Sequence, residues 1–156
     1  MKISTKGKYG LRAMIDLAQY SEQEAVSISS IAQRQKISES YLEQLVAKLK
    51  KAGLVISIRG AAGGYRLARP ASDISVGDVL RALEGDVRAV ICTAQTEEGC
   101  EGEELCVTKY VWQRINESIE KTVDEMMIDQ LVAESRKAKK KAKNHDVDYS
   151  RNSCSG

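Results

Sequence analysis

The chain has 156 residues and a mass of 17.2 kDa, enough for one ordinary domain or a small domain with an appendage. At 42% hydrophobic and 29% charged it has a globular rather than a disordered balance, and no apolar run approaches the ~20 residues of a membrane span. One histidine, one proline and no phenylalanine leave little for acid–base catalysis, so the expectation is a protein that is not an enzyme, with no small-molecule substrate and no membrane partner.

The net charge of +2 hides a segregation. Residues 1–70 carry 12 basic against 5 acidic side chains, residues 71–135 carry 5 against 15, and residues 136–156 carry 7 against 2. A basic front end on a near-neutral chain predicts a polyanion partner for that end, which the acidic middle repels. The opening Met1-Lys2-Ile3-Ser4-Thr5-Lys6 has no apolar stretch after its charges, so no secretory leader is expected and the expected location is cytoplasmic. In a reducing compartment the four cysteines are better read as ligands or redox groups than as disulfides.

In chain order, Leu11, Met14, Ile15 and Ala18 recur at helical spacing and predict an amphipathic helix over residues 8–19. A short second helix fits residues 30–35, capped by Ser29, with Ile31 and Ala32 turned inward. After Lys36-Ile37, Ser38 caps a third helix with Glu39 in its first turn; Leu42, Leu45, Val46 and Leu49 form its stripe and Gly53 ends it. The period then changes. Residues 54–59 and 65–67 read as strands around the turn Gly60-Ala61-Ala62-Gly63-Gly64.

Two short helices, a tight turn and a basic hairpin describe a winged helix-turn-helix, with the pair at about 28–52 and the wing at 54–67. Its second helix enters a major groove while the hairpin lies on backbone or minor groove. Ser38, Ser40, Tyr41 and Gln44 are the expected groove-facing residues, and Arg59 and Arg66 flank the glycine turn where phosphates come within reach. Ser75 to Asp78 forms a capping-box pattern that opens a helix through Leu83, closed by Gly85.

Residues 86–106 show no periodicity and read as a loop holding Cys92, Cys100 and Cys106, separated by seven and five residues. That spacing lacks the close pairs of zinc ribbons, whereas thiolates on a glycine-containing loop suit an iron–sulfur cluster; metal-free or oxidant-sensing thiols remain the alternative. Val107, Val111, Ile115, Ile119, Val123 and Met127 then predict a helix over 107–130, with Trp112 and Met126 widening its stripe. A stripe of that length on a small chain predicts burial against a second copy, a homodimer. Residues 131–156 read as a basic tail passing into disorder. The fold class is therefore mainly α with a small β-hairpin wing: residues 1–85 a DNA-binding domain, 86–106 a cysteine loop, 107–130 a dimerisation helix, 131–156 the tail.

The run Ser4-Thr5-Lys6-Gly7-Lys8-Tyr9-Gly10-Leu11-Arg12-Ala13-Met14, the stretch Ser40-Tyr41-Leu42-Glu43-Gln44-Leu45, and Arg59-Gly60 followed by Gly63-Gly64-Tyr65 resemble the winged-helix family of bacterial iron–sulfur and cysteine-responsive regulators. The likeness runs to about residue 130. It implies a homodimer paired through the long helix and bound to a palindromic double-stranded operator, with a 2Fe–2S cluster on Cys92, Cys100 and Cys106. The implied function is regulation of iron–sulfur cluster biogenesis genes, as repressor and in some cases activator.

It also implies that Gly60, Gly63, Gly64 and Tyr65 shape a DNA-reading wing. In that pattern Glu43 is a switch that disfavours one operator class until the cluster is bound; the other reading pairs Glu43 with Lys48 or Arg34. Two departures stand out. The first cysteine gap is two residues longer than the family's, and Lys109 occupies the place of a histidine ligand. A protonated ammonium has no lone pair. The fourth ligand is then Glu101, Glu103, Glu104, His145, Cys154 or an external group. The alternatives within the fold are a cluster-free repressor of cysteine-metabolism genes and a nitric-oxide-responsive regulator; outside it, an iron–sulfur redox or carrier protein.

Overall fold

The computed structural model describes residues 3–91 and 106–152, with side chains described to residue 145. The first helix, α1 (Thr5–Tyr20), begins where the Ser4 hydroxyl accepts the Lys6 N–H, three residues earlier than the apolar spacing alone predicts. Its Gly7 and Gly10, on one face, allow it to cross α4 (Val76–Glu84) at close range. A Cβ at Gly10 would overlap Leu83, and one at Gly7 would lie 2.8 Å from the Glu84 carboxylate.

The helix pair follows as α2 (Ile28–Gln35) and α3 (Glu39–Lys51). α2 starts two residues before the expected position, because Ser27 rather than Ser29 has the extended backbone of a cap and accepts the Ser30 N–H. Ser38 caps α3 as expected, accepting from the Tyr41 N–H. Between them Lys36 adopts a left-handed conformation, φ 56° and ψ 49°, which sets the turn angle without a glycine. Ile31, Leu42, Leu45 and Leu49 pack on Met14 and Leu17 of α1 in one core. Burial of each such side chain stabilises by about 1.5–3 kcal/mol.

The wing is an antiparallel pair, β1 (Val55–Ile58) and β2 (Gly64–Leu67), in register from Val55 opposite Leu67 to Ile58 opposite Gly64. Val26 extends it by one bridge, exchanging both backbone hydrogen bonds with Tyr65 at 2.9 and 2.8 Å. A 3-10 turn at Ala71–Asp73 leads to α4, whose Ser75–Asp78 capping box and Gly85 terminus match the sequence reading.

From Cys106 onward come α5 (Thr108–Glu125) and α6 (Ile128–Asn152). This differs from the expected single helix over 107–130 and disordered tail from 131. The backbone at Met126–Ile128 is diverted to pair with Ile74–Val76, with Val76 N–H donating to Met126 O at 2.8 Å and Ile128 N–H to Ile74 O at 2.9 Å. Ile128 and Val132 enter the main core, so the first turns of the expected tail are structural. α6 then runs beside α1 in the same direction. Leu131 packs in a cluster with Leu11, Arg136 pairs with Glu22 at 3.1 Å, and Lys139 reaches Gln19 and the Tyr20 hydroxyl. No helix among the described residues is long and apolar enough to cross a membrane.

Candidate nucleic-acid interface and cysteine site

The first turns of α3 present Ser38, Ser40, Glu43 and Gln44 to solvent on the face opposite the Leu42–Leu45–Leu49 stripe. Glu43 makes no hydrogen bond or ion pair among the described residues. Its expected surface partner Arg34 is taken by Asp16, a buried carboxylate held by a two-pronged contact at 2.7 and 3.0 Å and by Gln35 at 2.8 Å. Asp16 thereby locks α2 against α1 and leaves the Glu43 carboxylate facing outward.

Tyr41 is placed differently from its neighbours. Half-buried, it meets Tyr9 edge-on with ring centres 6.1 Å apart, and its hydroxyl lies 3.4 Å from Thr5 Oγ1. Arg12 stacks over Tyr9 and donates to the Gln35 side chain and carbonyl. The amino terminus of α1, with exposed Lys6 and Lys8, therefore lies beside the start of the recognition helix. Reasoning along the sequence missed this edge. Its signal was the Lys-x-Lys pair beside Tyr9, but only the tertiary contact between Thr5 and Tyr41 gives that pair its place.

In the wing, Arg59 and Gly60 are exposed at the tip, and Gly60 has φ +112°. Gly63 closes the turn through its N–H to Gly60 O, and an added Cβ would come 2.5 Å from Ile58 O. Gly64 and Tyr65 form the stem, their backbone turned to Val26. The Arg66 guanidinium, expected near phosphates, instead donates to the carbonyls of Ser21 and Glu22 at 3.2 Å, so it ties the wing to the end of α1.

Cys92 and Cys100 lie outside the described residues, as do Glu101, Glu103, Glu104 and Cys154. Cys106 is half-buried and sits just before α5, whose start at Val107–Thr108 has no side-chain cap. Its Sγ lies 3.2 Å from Thr108 Oγ1. That hydroxyl first, then the backbone N–H groups of Lys109 and Thr108 and the charge of Lys109, hold the thiol below its ordinary range. Uncapped helix N–H groups favour the thiolate, the form that binds metal. Lys109 is half-buried with its ammonium 5.4 Å from the Tyr110 ring centre, and His145 lies on the exposed far part of α6. Among the described residues no three His, Cys, Asp or Glu side chains form a metal-holding group, so the fit to a cluster rests on the thiolate chemistry of Cys106.

The irregular segment that precedes Cys92 is also anchored on α5. Asn116, buried in that helix, accepts the Ala89 and Val90 N–H groups at 2.9 and 3.3 Å and donates to Val90 O at 2.8 Å. Around it, Val107, Tyr110, Val111 and Ile115 leave an apolar face uncovered, Val107 at 75% exposure.

A recognition helix with a polar outer face, capped by serine and followed by a glycine-tipped hairpin, defines a winged helix-turn-helix DNA-binding regulator. The chain belongs to the Rrf2 family: a model described as an iron-dependent transcriptional regulator matches residues 3–134. It is 41% identical over 135 residues to the HTH-type transcriptional regulator IscR of Vibrio atlanticus, covering 86% of this chain and 77% of that one. It is 42% identical over 132 residues to the IscR of Serratia proteamaculans, covering 85% and 79%. Among solved structures it is similar to T. potens IscR, with 46% identity, TM-score 0.70, and 88% and 90% of the two chains covered. It is also similar to CymR, titled the global cysteine regulator of B. subtilis, with 41% identity, TM-score 0.72, and coverage of 85% and 97%. These relatives are named as transcriptional regulators, and the protein is a regulator rather than an enzyme.

Proposed function

We propose that this regulator controls iron–sulfur cluster biogenesis genes, with a 2Fe–2S cluster on Cys92, Cys100 and Cys106 as its signal and a homodimer on a palindromic operator as its working form. The observation that carries the reading is the placement of Cys106 at the uncapped start of α5, in a chain 41–42% identical to relatives named IscR. When bound, the cluster supplies an occupancy that depends on iron and on oxidants. The uncovered Val107–Val111–Ile115 face of α5 is the proposed seam with a second copy. Two copies then present their α3 helices to half-sites about one helical turn, ~34 Å, apart.

In this reading Ser38, Ser40, Tyr41 and Gln44 meet base edges or phosphates, and Arg59 with Gly60 and Gly63 reaches the backbone or minor groove, while Gly64 and Tyr65 hold the wing's stem. Glu43 selects. Its outward carboxylate repels phosphate and the acceptor edge of guanine and is best matched by the cytosine amino group. A chain of contacts joins the segment before Cys92 to α3. The segment before Cys92 borders Ile3 and Glu84, Glu84 caps α1, and Thr5 of α1 touches Tyr41.

The test is anaerobic purification with an absorption spectrum and iron and sulfide analysis, then operator binding by the wild-type chain and the Cys92→Ser, Cys100→Ser, Cys106→Ser variant. Bound iron and sulfide in the wild type, and an operator preference that shifts in the variant, are expected. Colourless protein that resists reconstitution would favour the second reading, a cluster-free repressor of cysteine-metabolism genes. Lys109 in place of a histidine and the likeness to CymR both support that alternative.

A further inference from the structure

α6 carries a cationic face that nothing in the fold uses. Its first turn and a half are structural, through Ile128 and Val132 in the core. Arg136 and Lys139 are then tied to Glu22, Gln19 and Tyr20 at the end of α1. Beyond that point the helix continues to Asn152 without the body beneath it, and Lys140, Lys141 and Lys143 are exposed with no ion pair or hydrogen bond among the described residues. Ordinary solvated helix faces alternate charge, as Glu134 and Lys137 do here at 3.3 Å. Residues 136–145 hold six basic side chains and no acidic one, so the segment repels itself and gains from an external anion.

The position of the helix says which anion. α6 runs parallel to α1 and leaves the body at Tyr20. That ring carries the Arg34 guanidinium 4.2 Å from its centre and lines a shallow groove with Ser27 and Ser30 at the start of α2 and with Ala62 and Gly63 of the wing turn. In a winged helix the wing turn and this edge of the helix pair flank the duplex. At 100° per residue, Lys143 lies one turn beyond Lys139 and about 40° round from it, and Lys140 about 100° round, whereas Lys141 points to the opposite side.

We propose that Lys140 and Lys143 form a second phosphate-contacting element, an arm that lies along the backbone of the same duplex beside the wing. The inference rests on the DNA-binding reading of the winged helix and extends the footprint beyond it. Such an arm adds affinity and salt dependence without sequence preference, because it meets only phosphate.

The test uses the full-length protein and fluorescence anisotropy on two duplexes, a genomic fragment selected by the protein itself and a random sequence of equal length, across a salt series. The double variant Lys140→Gln, Lys143→Gln keeps helix propensity, which circular dichroism checks. The expected result is a log–log salt slope shallower by about 2, with affinity weakened about tenfold at ~0.1 M salt on both duplexes alike. Lys141→Gln serves as the control and leaves the slope within about half a unit. If the wild type binds and the double variant matches it, or Lys141→Gln costs as much as either contact lysine, the arm is wrong while the winged-helix reading stands. If the wild type holds neither duplex, that reading falls and the arm with it. Loss of binding to phosphatidylserine vesicles in the double variant, with an unchanged DNA slope, would assign the helix to an anionic membrane surface instead.

Discussion

The Glu84 carboxylate closes the amino terminus of α1 from outside that helix: one oxygen accepts Ser4 Oγ at 2.6 Å, Ser4 N–H at 3.0 Å and Gly7 N–H at 3.0 Å. Ser4 supplies the local cap while Glu84, 80 residues away, binds the orphan donors left over and complements the helix dipole. These contacts, led by the Ser4 hydroxyl, hold Glu84 below the ordinary carboxylate range. A depressed carboxyl contributes stability that is present above its unfolded value, about 4.3, and is lost as pH falls through the folded value. Glu84→Gln is therefore expected to cost about 1 kcal/mol at pH 7 by urea unfolding, with the gap to wild type closing below about pH 4. A gap that persists at pH 3 would trace the loss to packing rather than charge.

Asp16 is the second point where charge shapes the fold. Its side chain is 1% exposed against 32% for Arg34, so removal of the carboxylate strands a guanidinium that keeps some contact with water. Asp16→Asn should destabilise by about 2–3 kcal/mol, less than for a fully buried pair. The loss should appear in chemical denaturation and, because α2 then loosens on α1, as weaker DNA binding in anisotropy titrations.

Gly64 tests the wing's stem. With φ +155°, a Cβ there would come 2.5 Å from Val26 O, against a backbone that is itself paired to Tyr65. Gly64→Ala should break that bridge and cost about 1–3 kcal/mol. Amide exchange of Val26 and Tyr65 should quicken, and DNA affinity should fall with the core helices still protected.

Asn116→Ala removes both acceptor and donor from the irregular segment before Cys92, at a cost of about 1–3 kcal/mol for the unsatisfied buried groups. The Val90 amide should lose exchange protection first. If limited proteolysis finds residues 86–106 cleaved no faster than in wild type, Asn116 does not anchor the loop.

The helix-turn-helix, the wing and the α4 capping box were legible because each is specified locally. A serine hydroxyl reaches only three residues, a stripe repeats every turn, and a glycine turn is its own signal. Ser27 in place of Ser29 shows the limit: serines two residues apart offer the same chemistry, and the β-bridge at Val26 favours the first. Arg66 was misplaced for a related reason. A guanidinium beside a glycine turn serves phosphate or a backbone carbonyl equally well, and the end of α1 supplies the carbonyls.

From the order of residues alone came the winged helix-turn-helix, the polarity of its charges and the place of three cysteines ahead of an apolar helix, since period, capping and composition act within a few residues of one another. Tertiary structure decided the break at Met126–Ile128, the docking of α6 on α1, the caging of Arg34 and Arg66, and the Glu84 cap. Each of these joins groups far apart in the chain, and which long-range pair forms depends on what the packed core brings within hydrogen-bonding distance.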